Sequence, residues 1–151
     1  MVRKTSLISL ALVLLLSLSA CTPRPVITTA RVIEVIDGDT IVIERGIHVR
    51  YIGIDTPELR PQAELFAVEA YQANRALVEG KLIRLEKDVS ETDRYGRLLR
   101  YIYIDDTFVN AELVRLGYAV AKAYPPDTKY QMIFERMAVE ARAAKRGMWA
   151  K

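Results

Sequence analysis

The chain has 151 residues, of which 22 are Lys or Arg, 19 are Asp or Glu, one is Cys and one is His. That length suits one domain of roughly 100–200 residues, and a content of 51% hydrophobic and 27% charged residues excludes a disordered chain. Without Arg3 and Lys4, which lie in a segment expected to be removed, 20 basic residues face 19 acidic ones. This balance excludes nucleic-acid binding by bulk charge alone. A single Cys and a single His exclude an intrachain disulfide framework and any Cys-rich or multi-His metal site.

The first 20 residues have the pattern of an export signal. A short basic region precedes an apolar run from Leu7 to Leu18, which is too short to span a bilayer comfortably. The run ends in Leu18-Ser19-Ala20-Cys21, which resembles the lipobox of bacterial lipoproteins; an ordinary signal peptide with a chance cysteine is the alternative. We therefore predict a lipoprotein signal peptide over residues 1–20, a lipid on Cys21 and a short tether over residues 21–25. The protein would be exported and anchored to a membrane of the bacterial cell envelope.

The remaining chain, residues 26–151, is predicted to form one α+β domain. Alternating β-branched residues and turn dipeptides such as Asp37-Gly38 predict strands over 26–36, 40–43, 47–54, 81–87 and 98–104. Helices are predicted from Glu64 to Val78 with Gly80 as the stop, from a cap at Asn110 to Leu116, and after a cap at Asp127 or Thr128. The order of these elements is compatible with a five-stranded Greek-key β-barrel of OB type carrying about three helices.

Three short clusters carry the chemistry. They are Asp37-Gly38-Asp39-Thr40, Arg50-Tyr51-Ile52-Gly53-Ile54-Asp55-Thr56-Pro57-Glu58, and Thr92-Asp93-Arg94-Tyr95-Gly96-Arg97. In this order and at this spacing they resemble the staphylococcal-type thermonucleases, which are calcium-dependent nucleases with an OB-type barrel. The resemblance extends from about Val26 to Trp149 and implies the same fold and the same reaction.

Asp39 and Asp55 are the candidate metal ligands. A hard cation prefers carboxylate and carbonyl oxygens, and the resemblance adds the backbone carbonyl of Thr56 as a third ligand and Ca²⁺ as the metal. So few protein ligands leave room for waters and a substrate phosphate, as a catalytic site requires. Simple turn formation is the alternative for each acid, and it is the favoured interpretation for Asp37.

Glu58, Arg50 and Arg97 are the candidate catalytic residues. The resemblance makes Glu58 the general base, or the residue that orients the attacking water. Arg50 lies on a predicted strand, where an unpaired guanidinium would be costly to bury, and Arg97 follows the turn Tyr95-Gly96. Two guanidinium groups suit a five-coordinate phosphorus whose non-bridging oxygens gain charge. An exposed loop acid and surface ion pairs are the alternatives.

Arg94, Tyr95 and Tyr124 are the candidate substrate-binding residues. For Arg94 and Lys122, phosphate contact is one interpretation and a solvated charge is the favoured one. Tyr124 falls near the aromatic positions that contact the nucleotide in the family, but the first tyrosine of the pair found in the best-known members is missing here, either replaced by Ala123 or lost to a short deletion. The loop after Glu58 is also shorter and less basic than in those members, which predicts weaker capture of DNA.

Two classes of function fit these patterns. The first is a lipid-anchored, calcium-dependent nuclease that cuts DNA and RNA, preferably single strands or A·T-rich duplex, and leaves 3′-phosphate and 5′-hydroxyl ends. The second is a non-catalytic OB-type module that binds nucleic acid or another partner. A binding module does not need the combined set Asp39, Arg50, Asp55, Glu58 and Arg97, so the set favours the nuclease. We expect a monomer.

Overall fold

The computed structural model describes residues 27–150 of the chain. The predicted signal peptide, the predicted lipidation site at Cys21 and the predicted tether lie outside the described residues and stay predictions. Within residues 27–150, no helix has the length and apolar character needed to cross a membrane.

The described chain forms a β-barrel with three helices packed on it. The strands are β1 (Ile27–Val35), β2 (Thr40–Ile43), β3 (Ile47–Tyr51), β4 (Ile54–Asp55), β5 (Leu82–Glu86), β6 (Leu98–Ile104), β7 (Thr107–Phe108) and β8 (Val120–Ala121). The helices are α1 (Ala67–Val78), α2 (Val109–Arg115) and α3 (Gln131–Ala143), with 3₁₀ turns at Glu44–Gly46 and Gly147–Trp149. The five predicted strands correspond to β1, β2, β3, β5 and β6.

A parallel pairing closes the barrel. β3, β2, β1, β5 and β6 are neighbours in that order, and all of these pairs are antiparallel. β3 then pairs in parallel with β6, which places Val49 opposite Leu98 and Arg50 opposite Leu99. The predicted α+β fold with a five-stranded barrel of OB type is therefore confirmed.

A single hydrophobic core fills the barrel and continues beneath the helices. Side chains of a strand alternate between its two faces, so β3 buries Val49 and Tyr51 while Arg50 between them reaches the rim. The fully buried large side chains include Ile41, Ile54, Ile83, Tyr101, Ile102, Leu113 and Phe134. Burial of this apolar surface holds α2 and α3 against the barrel, and with them the segments that border the functional site.

Two predicted elements have different limits in the structure. The strand predicted over 47–54 ends at Tyr51, because the chain turns at Ile52 and Gly53 before the short strand β4, which pairs with β8. The helix predicted from Glu64 begins only at Ala67, since Phe66 has a left-handed φ of 69°. Its predicted stop is confirmed, because the helix ends at Val78 and Gly80 has a φ of +70°.

The predicted cap at Asn110 is wrong. Asn110 lies inside α2 and is completely buried. Its Oδ1 accepts a hydrogen bond from the backbone N–H of Ile102 at 2.9 Å, and its Nδ2 donates to the carbonyl of Ile52 at 2.9 Å. Asn110 thus ties α2 to β6 and to the turn after β3, instead of capping its own helix.

The predicted cap of the last helix is wrong as well. α3 begins at Gln131, so neither Asp127 nor Thr128 caps it. The Oδ1 atom of Asp127 instead accepts hydrogen bonds from the backbone N–H groups of Val89 and Ser90, at 3.0 and 2.7 Å. Asp127 therefore joins the segment before α3 to the loop that follows β5.

Candidate active site

The predicted site residues line one open cleft of about 680 Å³. It is bordered by β3, by the loop before β6 and by the segment after β8. Its lining includes Asp39, Arg50, Asp55, Glu58, Arg94, Tyr95, Arg97 and Tyr124, together with Asp37, Asp93, Lys122 and Asp127. Every predicted catalytic and substrate-binding residue and both predicted metal carboxylates thus face one space. Thr56 is buried beside Asp39.

Asp39 is held rigidly by the turn between β1 and β2. The Oδ1 atom of Asp37 accepts a hydrogen bond from the backbone N–H of Asp39 at 2.9 Å, which confirms the turn-forming interpretation of Asp37. The Oδ2 atom of Asp39 accepts two more bonds, from the N–H and the hydroxyl of Thr56, at 2.9 and 3.0 Å. Gly38 permits this approach, because a Cβ there would come within 2.7 Å of the Thr56 hydroxyl.

Arg50 bridges the two acids. Its Nη1 lies 2.9 Å from Oδ2 of Asp39, and its Nη2 donates to Oδ1 of Asp55 at 2.8 Å. Nη1 also donates to the backbone carbonyls of Tyr51 and Ile54, at 3.0 and 3.1 Å. Arg50 is therefore a paired, largely buried cation whose planar fork is fixed by both side-chain and backbone oxygens.

Asp55 lies between two cations. Arg50 binds one of its oxygens, and Nζ of Lys122 binds the other, Oδ2, at 2.7 Å. The pairing of β4 with β8 brings Lys122 there, since its backbone N–H donates to the carbonyl of Gly53 at 2.9 Å. Lys122 is thus ion-paired inside the cleft, and plain solvation does not describe it.

Glu58 lies at the edge of the cleft with its backbone fixed. Its N–H donates to Oε2 of Glu64 at 3.0 Å, and its carbonyl accepts from the N–H of Glu64 at 2.9 Å. Partial burial raises the pKa of Glu58, and the negative charges of Asp37 and Asp55 raise it further. A carboxylate with a raised pKa is a stronger base, which is what proton abstraction from water requires.

Arg97 is positioned by Asp93, four residues before it. Oδ1 of Asp93 accepts a bond from the backbone N–H of Arg97 at 3.0 Å, and Oδ2 accepts from its Nε at 2.7 Å. Only Nε is used, and the two Nη groups of Arg97 make no hydrogen bond to any residue in the range 27–150. Both Nη groups are therefore available to a ligand of the cleft.

The predicted substrate-binding residues form the two outer walls of the cleft. On one side the guanidinium of Arg94 lies 4.8 Å from the centre of the Tyr95 ring, and that of Arg97 lies 5.5 Å from it. On the other side the ammonium of Lys122 lies 5.3 Å from the centre of the Tyr124 ring. Both tyrosines are exposed, which leaves ring faces accessible to a nucleobase.

Several known proteins are similar in sequence to this chain. The family model described as staphylococcal nuclease homologue matches residues 48–151. The chain is 37% identical over 128 residues to the thermonuclease of Staphylococcus hyicus, covering 81% of this chain and 76% of that protein. It is 36% identical over 124 residues to the thermonuclease of Staphylococcus intermedius, with coverages of 78% and 74%. The endonuclease YncB of Bacillus subtilis (strain 168) is 40% identical over 124 residues, with coverages of 77% and 59%.

The chain belongs to the family of staphylococcal nuclease homologues. Four residues support this nuclease-family site through contacts that sequence reasoning missed. Asp93 lies inside a quoted cluster, four residues before Arg97, and that spacing was an available signal. Asn74 donates a hydrogen bond to the carbonyl of Asp37. No sequence signal indicated this role, because a polar residue on the buried face of a helix fits many roles. The other two are Lys122 and Asp127, whose partners are distant in the sequence.

The oxygen donors of this nuclease-family site fit a hard divalent cation. Six carboxylates line the cleft, among them Asp37, Asp39, Asp55 and Glu58, and the cations Arg50 and Lys122 pair with two of these four. Burial raises the pKa of Asp39 to about 7, even though the positive charge of Arg50 lowers it. Arg50 alone therefore does not offset the cost of burying the negative charge of Asp39. Within residues 27–150 no group of three His, Cys, Asp or Glu is arranged for a metal. Asp39 and Asp55 would hold the ion, and waters and a substrate phosphate would complete its shell.

Proposed function

We propose that this protein is a calcium-dependent, sugar-nonspecific endonuclease of DNA and RNA that is exported and lipid-anchored to the cell envelope. Family membership and relatives named thermonuclease and endonuclease make it a phosphodiester-hydrolysing nuclease. The metal, the breadth of substrate, the ends of the products and the anchor are proposals. The observation that carries the catalytic proposals is the convergence of Arg50, Glu58 and Arg97 beside two carboxylates in one cleft, and the proposed anchor rests on the sequence Leu18-Ser19-Ala20-Cys21 alone.

Each of these side chains has a definite part in hydrolysis. Glu58 takes a proton from water as the new O–P bond forms, and the P–O5′ bond breaks with its electron pair remaining on the 5′-oxygen, which takes a proton from solvent water in the open cleft. The Nη groups of Arg97 and the fixed fork of Arg50 bind the non-bridging oxygens as their charge grows. Calcium held by Asp39 and Asp55 would supply further positive charge against the phosphate. The products are a 3′-phosphate and a 5′-hydroxyl.

The breadth of substrate follows from what the cleft contacts. Water, and not the ribose 2′-hydroxyl, is the nucleophile, so both DNA and RNA are substrates. The cleft presents charges to phosphate and ring faces to bases, and neither reads a base sequence. Single strands and A·T-rich duplex are cut preferentially, because a strand must leave its helix to place one phosphate between Arg50 and Arg97.

A nuclease assay on the domain with calcium, with magnesium and with chelator tests the catalytic proposal. Calcium is expected to support cleavage and magnesium to do so poorly, because two carboxylates on turns suit the loose coordination of calcium better than a strict octahedron. Asp39→Ala and Asp55→Ala are expected to raise the calcium concentration needed for activity. Full activity in excess chelator would eliminate the metal mechanism.

Glu58→Gln separates catalysis from binding. The amide keeps the shape of the side chain but cannot accept the proton, so the variant is expected to bind single-stranded DNA and cut it at least about a hundredfold more slowly. Glu69→Gln, an exposed change on α1, is the matched control and should cut at the wild-type rate. A wild-type protein that binds nucleic acid and never cuts it would support the non-catalytic binding module instead.

Direct labelling of product ends tests the direction of attack. Kinase labelling without prior phosphatase treatment should label the 5′-hydroxyl ends of both DNA and RNA fragments, and enzymatic extension of their 3′ ends should require phosphatase treatment first. Fragments with 5′-phosphate ends would show that the other P–O bond breaks. Cleavage of RNA alone, through a 2′,3′-cyclic phosphate, would show that the ribose hydroxyl is the nucleophile.

The anchor is tested at Cys21, the one thiol in the chain. Cys21→Ser is expected to abolish lipid incorporation and to leave the protein unprocessed or released, since the chain has no other thiol to carry the lipid. Membrane fractionation and labelling with a fatty-acid analogue measure this outcome. A variant that stays with the membrane at the mature size of the wild type would contradict the lipoprotein proposal.

A further inference from the structure

Lys122 holds a position in the cleft that the proposed reaction does not use. Its ammonium lies 2.7 Å from Oδ2 of Asp55, one of the two carboxylates available to a metal ion. The other oxygen of Asp55 is bound by Arg50 at 2.8 Å. Both oxygens of this acid are therefore paired with protein cations, and a divalent cation must compete with one of them.

The two cations differ in how firmly they are held. The side chain of Arg50 is 12% exposed and is bound by Asp39, by Asp55 and by two backbone carbonyls. The side chain of Lys122 is 47% exposed, and its other neighbour is the face of the Tyr124 ring. An ammonium on a flexible four-carbon stem gives up a half-exposed ion pair at little cost. Lys122 is thus the cation that can leave Asp55.

The geometry also shows where Lys122 can go. Its backbone is fixed by the hydrogen bond to the carbonyl of Gly53, so the ammonium can move only within the reach of its own side chain. That reach covers the wall of the cleft formed by Tyr124, where a nucleotide would lie, and phosphate is the strongest anion a substrate offers there. A divalent ion at Asp55 would repel the ammonium toward it.

We propose that Lys122 is an internal competitor of the divalent cation, occupying Asp55 in the free protein and moving to a substrate phosphate when the metal binds. The inference rests on the proposed function, because it assumes the calcium site at Asp39 and Asp55. It assigns Lys122 two measurable effects of opposite sign. The lysine weakens the binding of calcium to the free protein and strengthens the binding of nucleic acid to the calcium-loaded protein.

Titration calorimetry of the free protein with calcium chloride, without nucleic acid, measures the first effect. Lys122→Met keeps the length of the side chain and removes its charge, so the Kd for calcium is expected to fall by about two- to fivefold. Lys87→Met removes the same charge outside the cleft, where Lys87 pairs with Glu91, and should leave the Kd unchanged. An unchanged or higher Kd in Lys122→Met would overturn the inference.

The second effect is measured in the non-cutting Glu58→Gln background with saturating calcium and a single-stranded oligonucleotide. Adding Lys122→Met is expected to weaken binding and to make the slope of log affinity against log salt shallower by about 0.7, the value for one lost phosphate contact. Equal affinity and slope in the two proteins would overturn the inference, whereas adding Lys87→Met should change neither.

The two measurements also separate this inference from the proposed function. Wild-type protein that binds no calcium would remove the metal from the proposed function and the inference with it. Wild-type protein that binds calcium and cuts DNA, with Lys122→Met behaving identically in both assays, would remove only the inference.

Discussion

Gly53 lies at the turn between β3 and β4, directly beneath the site. Its φ is +78°, a conformation that other residues adopt at a cost, and a Cβ there would come within 2.3 Å of Cε2 of Phe134. Phe134 is completely buried in α3, so it has no space to withdraw. The carbonyl of Gly53 in turn holds Lys122. One glycine thus sets both the packing of α3 and the position of the cleft wall.

We predict that Gly53→Ala lowers the free energy of unfolding by about 2–4 kcal/mol, from overpacking against Phe134 and from the left-handed backbone. Gly80→Ala is the matched control. Gly80 has a similar φ of +70° but open space around a Cβ, so its cost should be only about 1–2 kcal/mol. Urea unfolding measures both variants, and equal losses would contradict the role of Phe134.

Arg97 is expected to matter far more to turnover than to folding. Removing one preorganised charged donor from a transition state costs on the order of 10²–10³ in turnover. Lysine keeps the charge but has no planar fork for two phosphate oxygens, and it cannot reproduce the Nε bond to Asp93 together with a phosphate contact. We predict a fall of that size in kcat for Arg97→Lys with unchanged thermal unfolding. Near-wild-type kcat would count heavily against the transition-state role.

The identity of the site residues was easier to predict than the contacts that hold those residues in place. Asp39, Arg50, Asp55, Glu58 and Arg97 were identified because their clusters resemble a known family, and the structure brings them into one cleft. Their roles stay predictions. For Lys122 the favoured interpretation was solvation, since a lysine beside a proline-rich turn gives no sign that its partner is Asp55, far away in the chain.

The loop between β5 and β6 forms one side of the cleft. It carries Asp93, Arg94, Tyr95 and Arg97, and it contains no helix or strand of its own. Asp127 secures its first residues from across the cleft, through the bonds to Val89 and Ser90. The backbone N–H of Asp127 also donates to the carbonyl of Tyr124 at 2.9 Å. Asp127 is therefore a positioning residue for both outer walls.

We predict that Asp127→Ala destabilises the protein by about 1–3 kcal/mol, because two partly buried N–H groups lose their acceptor. It should also raise KM and lower kcat together, since the loop that its side chain secures carries both the substrate-binding Tyr95 and the catalytic Arg97. Asp127→Asn keeps an acceptor oxygen and should recover most of both losses. Steady-state kinetics and urea unfolding on the two variants check this, and equal damage from both would contradict a hydrogen-bonding role.

Among the elements, strands were predicted well and helix ends poorly. Alternation and turn dipeptides identified all five barrel strands, because one face of each is buried and the pattern is local. Asn110 and Asp127 were taken for caps because the same residue types suit a cap and a buried tie. Only their distant partners, Ile52 and Val89 among them, distinguish the two, and a single sequence does not reveal those partners.

At the scale of the whole molecule, the buried acid Asp39 links stability to pH and to metal. Burial raises its pKa to about 7 in the folded protein, from an ordinary value of 3.8. The folded state therefore holds the proton more tightly than the unfolded state, so the contribution of Asp39 is stabilising at low pH. That contribution is lost as the pH rises through the interval between the two values.

We predict that chelated protein loses stability between about pH 4 and pH 7 and that calcium restores more of it at the higher pH, where Asp39 is ionised and free to bind. Asp39→Asn, which has no proton to exchange, should show a flatter profile and little response to calcium. Denaturant unfolding with and without calcium measures both effects. A larger calcium effect at the acidic pH would contradict this linkage.

The parallel pairing of β3 with β6 has a consequence for the cell that makes this protein. Arg50 lies in the paired part of β3, and Arg97 directly precedes the paired part of β6. The two arginines therefore come to the same cleft only when the barrel has closed. Contacts between segments so far apart in the chain require the intervening strand and helix to be in place. A polypeptide kept unfolded during secretion therefore has no working site. For a nuclease proposed to act outside the cytoplasm, the topology itself protects the chromosome and the transcripts of the producing cell until export is complete.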